Sequence, residues 1–428
     1  VTAPTPPYAE FRLNLEQQRK RAKDLLKAAR QHDAAALERL RRAGCRDTGE
    51  PALLKLAAAQ HCIARELRLP SWAALKEHIE ALARTREALA TRSSSPDAEL
   101  RTLHIRCGHD IERELEEAGF RGAFRPYLNP YLQGPVTSTP DWLERRARFI
   151  AESFGPYMGL AHADVLAGCQ AEEAELARAR HDYERVVLWL EHDRYDQFVL
   201  LRCLAAFAEH GVPRALELVG PNDFPGSTRF VGLGQLPPEA LRLLWERRRP
   251  LGPEHVAFGA ATWQAFRAED PRPLAALVRA GTPLLGDLAA ALHRHLAELP
   301  AVDNGLGLTE QLLLRALAES GVMRVGRLVG LVMHGFDPLP GLGDTGYDLA
   351  LRALEHVAEP LVERRGGAPP AEWGRDEILI TPRGRAVLEG ACDWLGLQPA
   401  ERWVGGVRVA HDSPGWRWDE ARRDVVQR

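Results

Sequence analysis

An α/β fold is predicted for this 428-residue chain, and three stretches predict it. Val186-Val187-Leu188-Trp189-Leu190 is a short apolar run that breaks at Glu191-His192-Asp193 and leads into a strongly apolar helical stretch from about Tyr195 to Glu209. Leu103-His104-Ile105-Arg106 reads as a second strand, with Cys107-Gly108-His109-Asp110 as its corner and a helix from Ile111 to Ala118 closed by Gly119. Ala215-Leu216-Glu217-Leu218-Val219 reads as a third. Strand, polar corner and helix in repetition are the pattern of a Rossmann-like parallel sheet with helical additions, which takes ligands at the carboxyl ends of its strands.

In chain order, residues 1–14 hold three prolines and are expected as a flexible arm. Residues 15–87 form an all-α N-terminal module, with Leu25, Leu26, Ala29, Leu37 and Leu40 at helical spacing and Ser71 placed to cap a helix beginning at Trp72. Residues 88–99 are a Ser/Pro linker, and 100–232 the α/β domain. Within that domain, residues 120–140 read as a Pro/Gly/aromatic loop suited to closing over a ligand, followed by helices near 141–154 and 161–182. Residues 233–303 are a helical extension whose last helix carries His293 and His295, expected on a solvated face. Residues 304–428 hold helices near 308–320, 325–333 and 344–357, a strand at 378–381, and a terminal hairpin built from Trp403–Val407 and Trp416–Asp419.

The net charge of −3 and pI near 6.6 leave no global positive field for nucleic acid or an anionic membrane. The only five lysines lie in the first 76 residues, which sets the N-terminal part apart. Six scattered cysteines without a CxxC, and no Cys/His group at zinc-finger spacing, fit a reducing cytoplasm and name no metal ligands, which leaves a divalent metal at the carboxylates and histidines of the two strand corners as the lesser alternative. No apolar stretch reaches the length of a membrane span, and VTAPTPPYAEF carries neither a signal nor a lipidation motif, so a cytoplasmic location is expected.

Several motifs carry resemblances. Ala64-Arg65-Glu66, Pro70-Ser71-Trp72, Leu75-Lys76 and His78 resemble the end of a small helical module found ahead of bacterial domains, including ankyrin arrays, although Leu67-Arg68-Leu69 stands where a glycine is usual. That resemblance implies docking to a protein partner. Three helices followed by the strand and Thr381-Pro382-Arg383-Gly384-Arg385 resemble bacterial winged-helix domains. His104-Ile105 with Gly108 and Asp110, Gly134-Pro135, Leu188 to Gln197, Asn304-Gly305-Leu306, Leu342-Gly343-Asp344-Thr345, Trp403 with Gly405-Gly406-Val407, and Trp416-Arg417-Trp418 occur in the order of a bacterial family catalogued as domain of unknown function 1835. Over roughly residues 100–420 the chain resembles that family with its usual C-terminal partner domain. The family's "GDS" corner is here Gly108-His109-Asp110.

If the two strands are parallel neighbours, their corners meet. Asp110, His192 and Asp193 are then the candidate catalytic acid, base or ligand groups, and His109, Glu191 and Gln197 candidate ligand contacts. Arg125 and Tyr131, on the 120–140 loop, are expected to close over an anion or polar group. Asp110 and Asp193 serve equally well as helix caps. The expected function is binding of a small polar ligand or substrate at the strand ends, with hydrolase or transferase chemistry; the sequence names no cofactor. The alternative is a regulatory or scaffold protein whose winged helix contacts DNA or a protein. DNA is disfavoured, because residues 344–359 carry Asp344, Asp348, Glu355 and Glu359 against Arg352.

Overall fold

The computed structural model describes residues 8–45, 49–91, 94–226 and 230–427. The chain is a mixed α/β protein with a mostly parallel central sheet. Residues 15–90 give four helices: α1 (Leu15–Arg30), α2 (Ala34–Arg42), α3 (Leu56–Glu66) and α4 (Trp72–Ala90). Asn14, Asp33 and Ser71 cap three of them by accepting backbone N–H bonds. Leu25, Leu40, Ile63 and Leu75 lie in a core of their own. The start of the expected arm, residues 1–7, and residues 92–93 of the expected linker lie outside the described residues. The rest of the arm is docked. Phe11 is buried edge-on to Phe224 at 5.8 Å, Tyr8 Oη donates to Glu114 at 3.0 Å, and Arg12 Nε donates to Glu239 at 3.1 Å.

The sheet is built from β1 (Thr102–Cys107), β2 (Ala123–Tyr127), β3 (Arg185–Trp189), β4 (Ala215–Val219) and β5 (Arg249–Pro250), in the order β2-β1-β3-β4-β5. All neighbours are parallel except β4 and β5. The chain leaves β1 through α5 (Glu112–Glu117) to reach β2 on one side. It returns through α6 (Trp142–Met158) and α7 (His162–Asp182) to β3 on the other. The strand order therefore reverses between β1 and β3, where the two corners part and a crevice can open. Register aligns Arg106 with Trp189, so both corners start at the same height. Strand β2 lies inside the stretch expected to be loop. Its Pro126 and the flanking Gly122 disguise it, and an edge strand tolerates the proline because one side needs no ladder partner.

After β3, α8 (Arg194–His210) buries every residue from Asp196 to Phe207. A helix apolar on all sides must be central. It packs against β1, α7, α10 (Pro253–Phe266) and α12 (Leu288–Leu296), with α10 its main neighbour; α11 (Arg272–Ala280) lies on α10 and α12, and α9 (Pro238–Glu246) packs instead on α4 and α5. His295 of α12, expected at the surface, is wholly buried between Phe198 and Phe266 at ring separations of 4.9 and 4.8 Å. Leu288, Ala291, Leu292 and His295 share one helical face, so the histidine follows the apolar stripe inward. Burial holds its pKa down at about 3, and it is neutral.

The C-terminal part runs α13 (Leu308–Ser320), β6 (Met323–Arg324), α14 (Val325–Leu331), a π-helical turn to Phe336, α15 (Asp344–Glu355), β7 (Val362–Arg365), β8 (Glu377–Ile380) and α16 (Pro382–Leu388). β6, β8 and β7 form an antiparallel three-stranded sheet. Two hairpins end the chain, β9 (Arg402–Val404) with β10 (Val407–Val409), and β11 (Trp416–Asp419) with β12 (Asp424–Gln427), where one was expected. The apolar core does not stop at residue 303: Leu103, Leu188 and Leu204 share one continuous cluster with Leu313, Leu351, Ile378 and Val404.

Candidate functional site

The two corners meet as the parallel register requires, and a buried arginine joins them. Arg106, at the end of β1, spends all five of its N–H groups on protein. Nε and Nη2 donate to Asp110 at 2.9 and 2.8 Å; Nη2 also reaches Glu191 Oε1 at 2.5 Å; Nη1 donates to the Trp189 carbonyl at 3.2 Å and to Asp196 Oδ2. Burial opposes its charge, but the carboxylates of Asp196 and Glu191 outweigh burial and raise its pKa well above the usual value. Sequence reasoning passed over Arg106 and Asp196. The signal was there: a charged side chain inside an otherwise buried strand needs partners.

Each predicted corner residue takes a definite place. Asp110 faces Arg106 and does not cap α5, whose N-cap is Ile111. His109 is exposed, with Nδ1 2.6 Å from Glu112. Asp193 caps α8, its Oδ1 accepting the Asp196 N–H at 3.0 Å. Gln197 Nε2 donates to the Glu191 carbonyl at 2.5 Å. His192 stacks on Phe230 at 6.4 Å, and its Nδ1 is buried without a partner. Burial, and then the neighbouring carboxylates, hold Glu191 well above the carboxylate range; burial and the charge of Asp196 push Asp193 up to about 7. The Cys107 thiol is raised by burial and Asp196, which leaves no thiolate at neutral pH.

Arg125 and Tyr131 do not join this group. Arg125 pairs with Glu175, and Tyr131 is fully buried with its hydroxyl 2.8 Å from that of Tyr127. The segment around Tyr131 is tied down from beneath. Arg146, wholly buried, donates to Asn129 Oδ1 at 2.7 Å and to the carbonyls of Gln133 and Pro130. What covers the corner is a different segment, residues 230–236. The Leu233 N–H donates to Glu191 Oε1 at 2.8 Å, and Gly232 and Gly234 pass so close that a Cβ would lie 2.5 Å from Glu191 Oε2 and 2.7 Å from Asp110 Oδ2. The carboxylates of Glu191, Asp193 and Asp196 converge within 4.8 Å, as metal ligands would. Two of the three already hold the Arg106 guanidinium, which supplies the compensating positive charge.

One cavity, smaller than two others among the described residues, lies next to this corner. A cleft of about 460 Å³ opens between the 132–135 segment, α6, α15, the start of α13 and β9. Phe149, Leu349 and Trp403 give it apolar walls, and Glu298, Thr309, Glu310 and Arg402 converge in it. Gly134, with φ of +76°, lets Phe149 pack directly on the backbone. Arg194, the first residue of α8, links cleft and corner: its Nη1 reaches Glu298 Oε1 at 3.3 Å. Glu298 also accepts from Arg294 at 2.5 Å and from the Thr309 hydroxyl at 2.5 Å. Despite burial, Arg294 and Arg194 hold its pKa down at about 2, so it stays charged. Arg294 forms a bidentate pair with Asp337 at 2.9 and 2.8 Å. Arg402 donates to the Glu298 carbonyl at 2.6 Å, while its Nη2 is buried without a partner; Arg194, fully buried, has Nε and Nη2 in the same condition. These residues are spread from 132 to 403, so no local motif announced them.

Compared with models of known families and with curated proteins, the chain matches none.

Proposed function

We propose that the chain binds a small polar organic molecule in the cleft beside the carboxyl end of its sheet. One observation carries this reading: a concave space of about 460 Å³ with apolar walls and a few convergent polar groups, the usual make-up of a small-molecule site. The strand order, reversing between β1 and β3, supports a Rossmann-like reading and puts the expected binding side next to the cleft. The corner serves as its rigid support. Hydrolase or transferase chemistry at Asp110, His192 and Asp193 is the weaker reading, since Asp110 is held by Arg106 and Asp193 caps α8.

Membership of the domain-of-unknown-function family 1835 remains our proposal on the order of the short motifs. It gains support from where their glycines fall. Gly134 lies on Phe149, Gly305 against Asp393 and Arg417, and Gly405 against Phe266, all close approaches that a side chain would block. The order helix–strand–helix–helix–strand–strand over residues 308–380 favours a winged-helix reading of the C-terminal part. Its third helix, α15, is engaged within the molecule: Asp348 is buried against Tyr157, Arg352 and Arg364, and Leu349, Ala350 and Ala353 line the cleft. We read that part as a wall of the site rather than as a DNA reader, with the N-terminal helices as the surface for a protein partner. No helix among the described residues is long and apolar enough to cross a membrane.

The test is a thermal-shift screen of metabolites and nucleotides on the full chain and on Ala350→Trp, which fills the cleft. A true ligand raises the melting temperature of the wild type by a few degrees, and the rise disappears in the variant. Equal shifts in both proteins would move the ligand elsewhere and sink the reading.

A further inference from the structure

Resting on the reading of the N-terminal helices as the surface for a protein partner, we propose that this partner lays an acidic segment along the solvent face of α1 and seats an apolar side chain on Leu53 and Leu56. Three of the chain's five lysines, Lys20, Lys23 and Lys27, lie with Arg30 on one side of α1, because steps of three and four residues return to the same side of a helix. All four are exposed, while Gln18, Ala22, Leu25 and Ala29 turn the opposite side into the core. The neighbouring arginines are answered by the protein itself. Arg19 pairs with Glu16, Arg21 and Arg39 with Glu66, and Arg41 and Arg42 with Glu38. No carboxylate among the described residues comes within ion-pair distance of Lys20, Lys23 or Lys27. Arg30 spends its Nη2 on the Leu54 carbonyl at 2.7 Å. Of the acidic residues of α1, Glu16 is taken by Arg19, which leaves Asp24 against four cations in a chain whose net charge is −3.

Solvated lysines alone mark nothing, and the leucines are a second, independent observation. The bond from Arg30 to Leu54 places the turn Pro51–Leu53 at the end of the basic stripe. There Leu53 is 63% exposed, more than any other large apolar side chain among the described residues, and Leu56 is 37% exposed, beside the exposed Lys55. Apolar surface bordered by cations fits a segment that carries carboxylates and an apolar anchor. From Lys20 to Arg30 the stripe is about 15 Å long at the helical rise, which roughly three turns of a partner helix or five extended residues would cover. What the face lacks sets the partner's class. Residues 14–45 and 49–56 contain no Phe, Tyr or Trp on which a nucleic-acid base could stack. A helix lying on a membrane turns its own apolar side to the lipid, and that of α1 is spent on the core.

The experiment follows fluorescence anisotropy of a labelled peptide of glutamates ending in two leucines, titrated with the full chain. Its comparison probes are the same peptide with glutamines for glutamates, a single-stranded oligonucleotide, and vesicles containing phosphatidylserine. The glutamate peptide is expected to bind at least about tenfold more tightly than the glutamine one, the combined worth of three exposed ion pairs, and to weaken as added salt screens them. Lys20→Glu, Lys23→Glu and Lys27→Glu together should remove that preference at an unchanged melting temperature, since all three positions are exposed. Leu53→Ser should weaken both peptides by a similar factor. Equal binding of the two peptides, lost in Leu53→Ser, overturns the acidic segment and leaves the N-terminal helices as a protein surface. So does failure of the glutamate peptide to bind. Peptide binding that survives both the lysine and the leucine variants, or tighter binding of the oligonucleotide or the vesicles, overturns both readings. The comparison of probes on the wild type does not depend on any variant folding.

Discussion

The corner and the cleft are both buried polar clusters built around arginine, within one helix end of each other, yet they differ in how their hydrogen bonds close. At the corner, Arg106 finds a protein acceptor for each of its N–H groups, and residues 230–236 lie over it. In the cleft, Arg402 and Arg194 keep nitrogens without acceptors beside a space of about 460 Å³. The contrast holds for the arginines and not for every corner group, since Glu191 Oε2 and His192 Nδ1 are also buried without partners. Charged residues at a strand end therefore do not by themselves identify a binding site. What matters is whether the protein has already answered them.

Three measurements break or sharpen this contrast. The largest effect is expected from Arg106→Met, which leaves Glu191 and Asp196 buried without their cation and should cost about 3–5 kcal/mol in denaturant unfolding. A loss under about 1 kcal/mol would mean the corner is hydrated and open. Next, Gly232→Ala puts a methyl 2.5 Å from Glu191 Oε2 and should cost about 1–3 kcal/mol, with the loss seen as a lowered midpoint at unchanged slope. A neutral result would show that the covering segment moves aside, and the corner would again be a candidate site. The smallest effect is that of Asp193→Asn. The side chain still caps α8, so at pH 5 stability should change by less than about 1 kcal/mol. Its informative readout is the pH profile. Asp193 has a pKa near 7 in the folded chain against an ordinary 3.8, so between those values the folded state holds a proton that the unfolded state has released. That stabilisation is full below pH 4 and is lost as pH rises towards 7. The asparagine variant should flatten this decline, which is at most about 1.4 kcal/mol per pH unit. An unchanged profile would assign the titration elsewhere.

Local pattern made part of this legible. The apolar runs of β1, β3 and β4, the cap at Ser71, the helix from 344 and the meeting of the two corners could all be read, because each is written in consecutive residues. Strand β2 was hidden by Pro126, and β7 by its charged Val362-Glu363-Arg364-Arg365, since edge and surface strands carry weak apolar alternation. His295 could have been placed from its helical phase with Leu288 and Leu292. The cleft could not. Phe149, Glu298, Leu349 and Arg402 come from four separate elements, and only the shared core brings them together. Of the candidate catalytic set, Asp110 is held by Arg106 and Asp193 caps α8, a distinction that depends on three-dimensional partners.

The docked N-terminal segment has a consequence for how the chain is made. Residues 22–75 bury an apolar core of their own and can form early, while Ala81 and Leu82 of α4 are buried only against later residues such as Ile111 and Leu241. Tyr8, Phe11 and Arg12 must wait, because Glu114, Phe224 and Glu239 are synthesised later, the last of them 227 positions after Arg12. This segment therefore finds its seat only after residues 114–239 have been made, and its docking reports that the helices it rests on are in place.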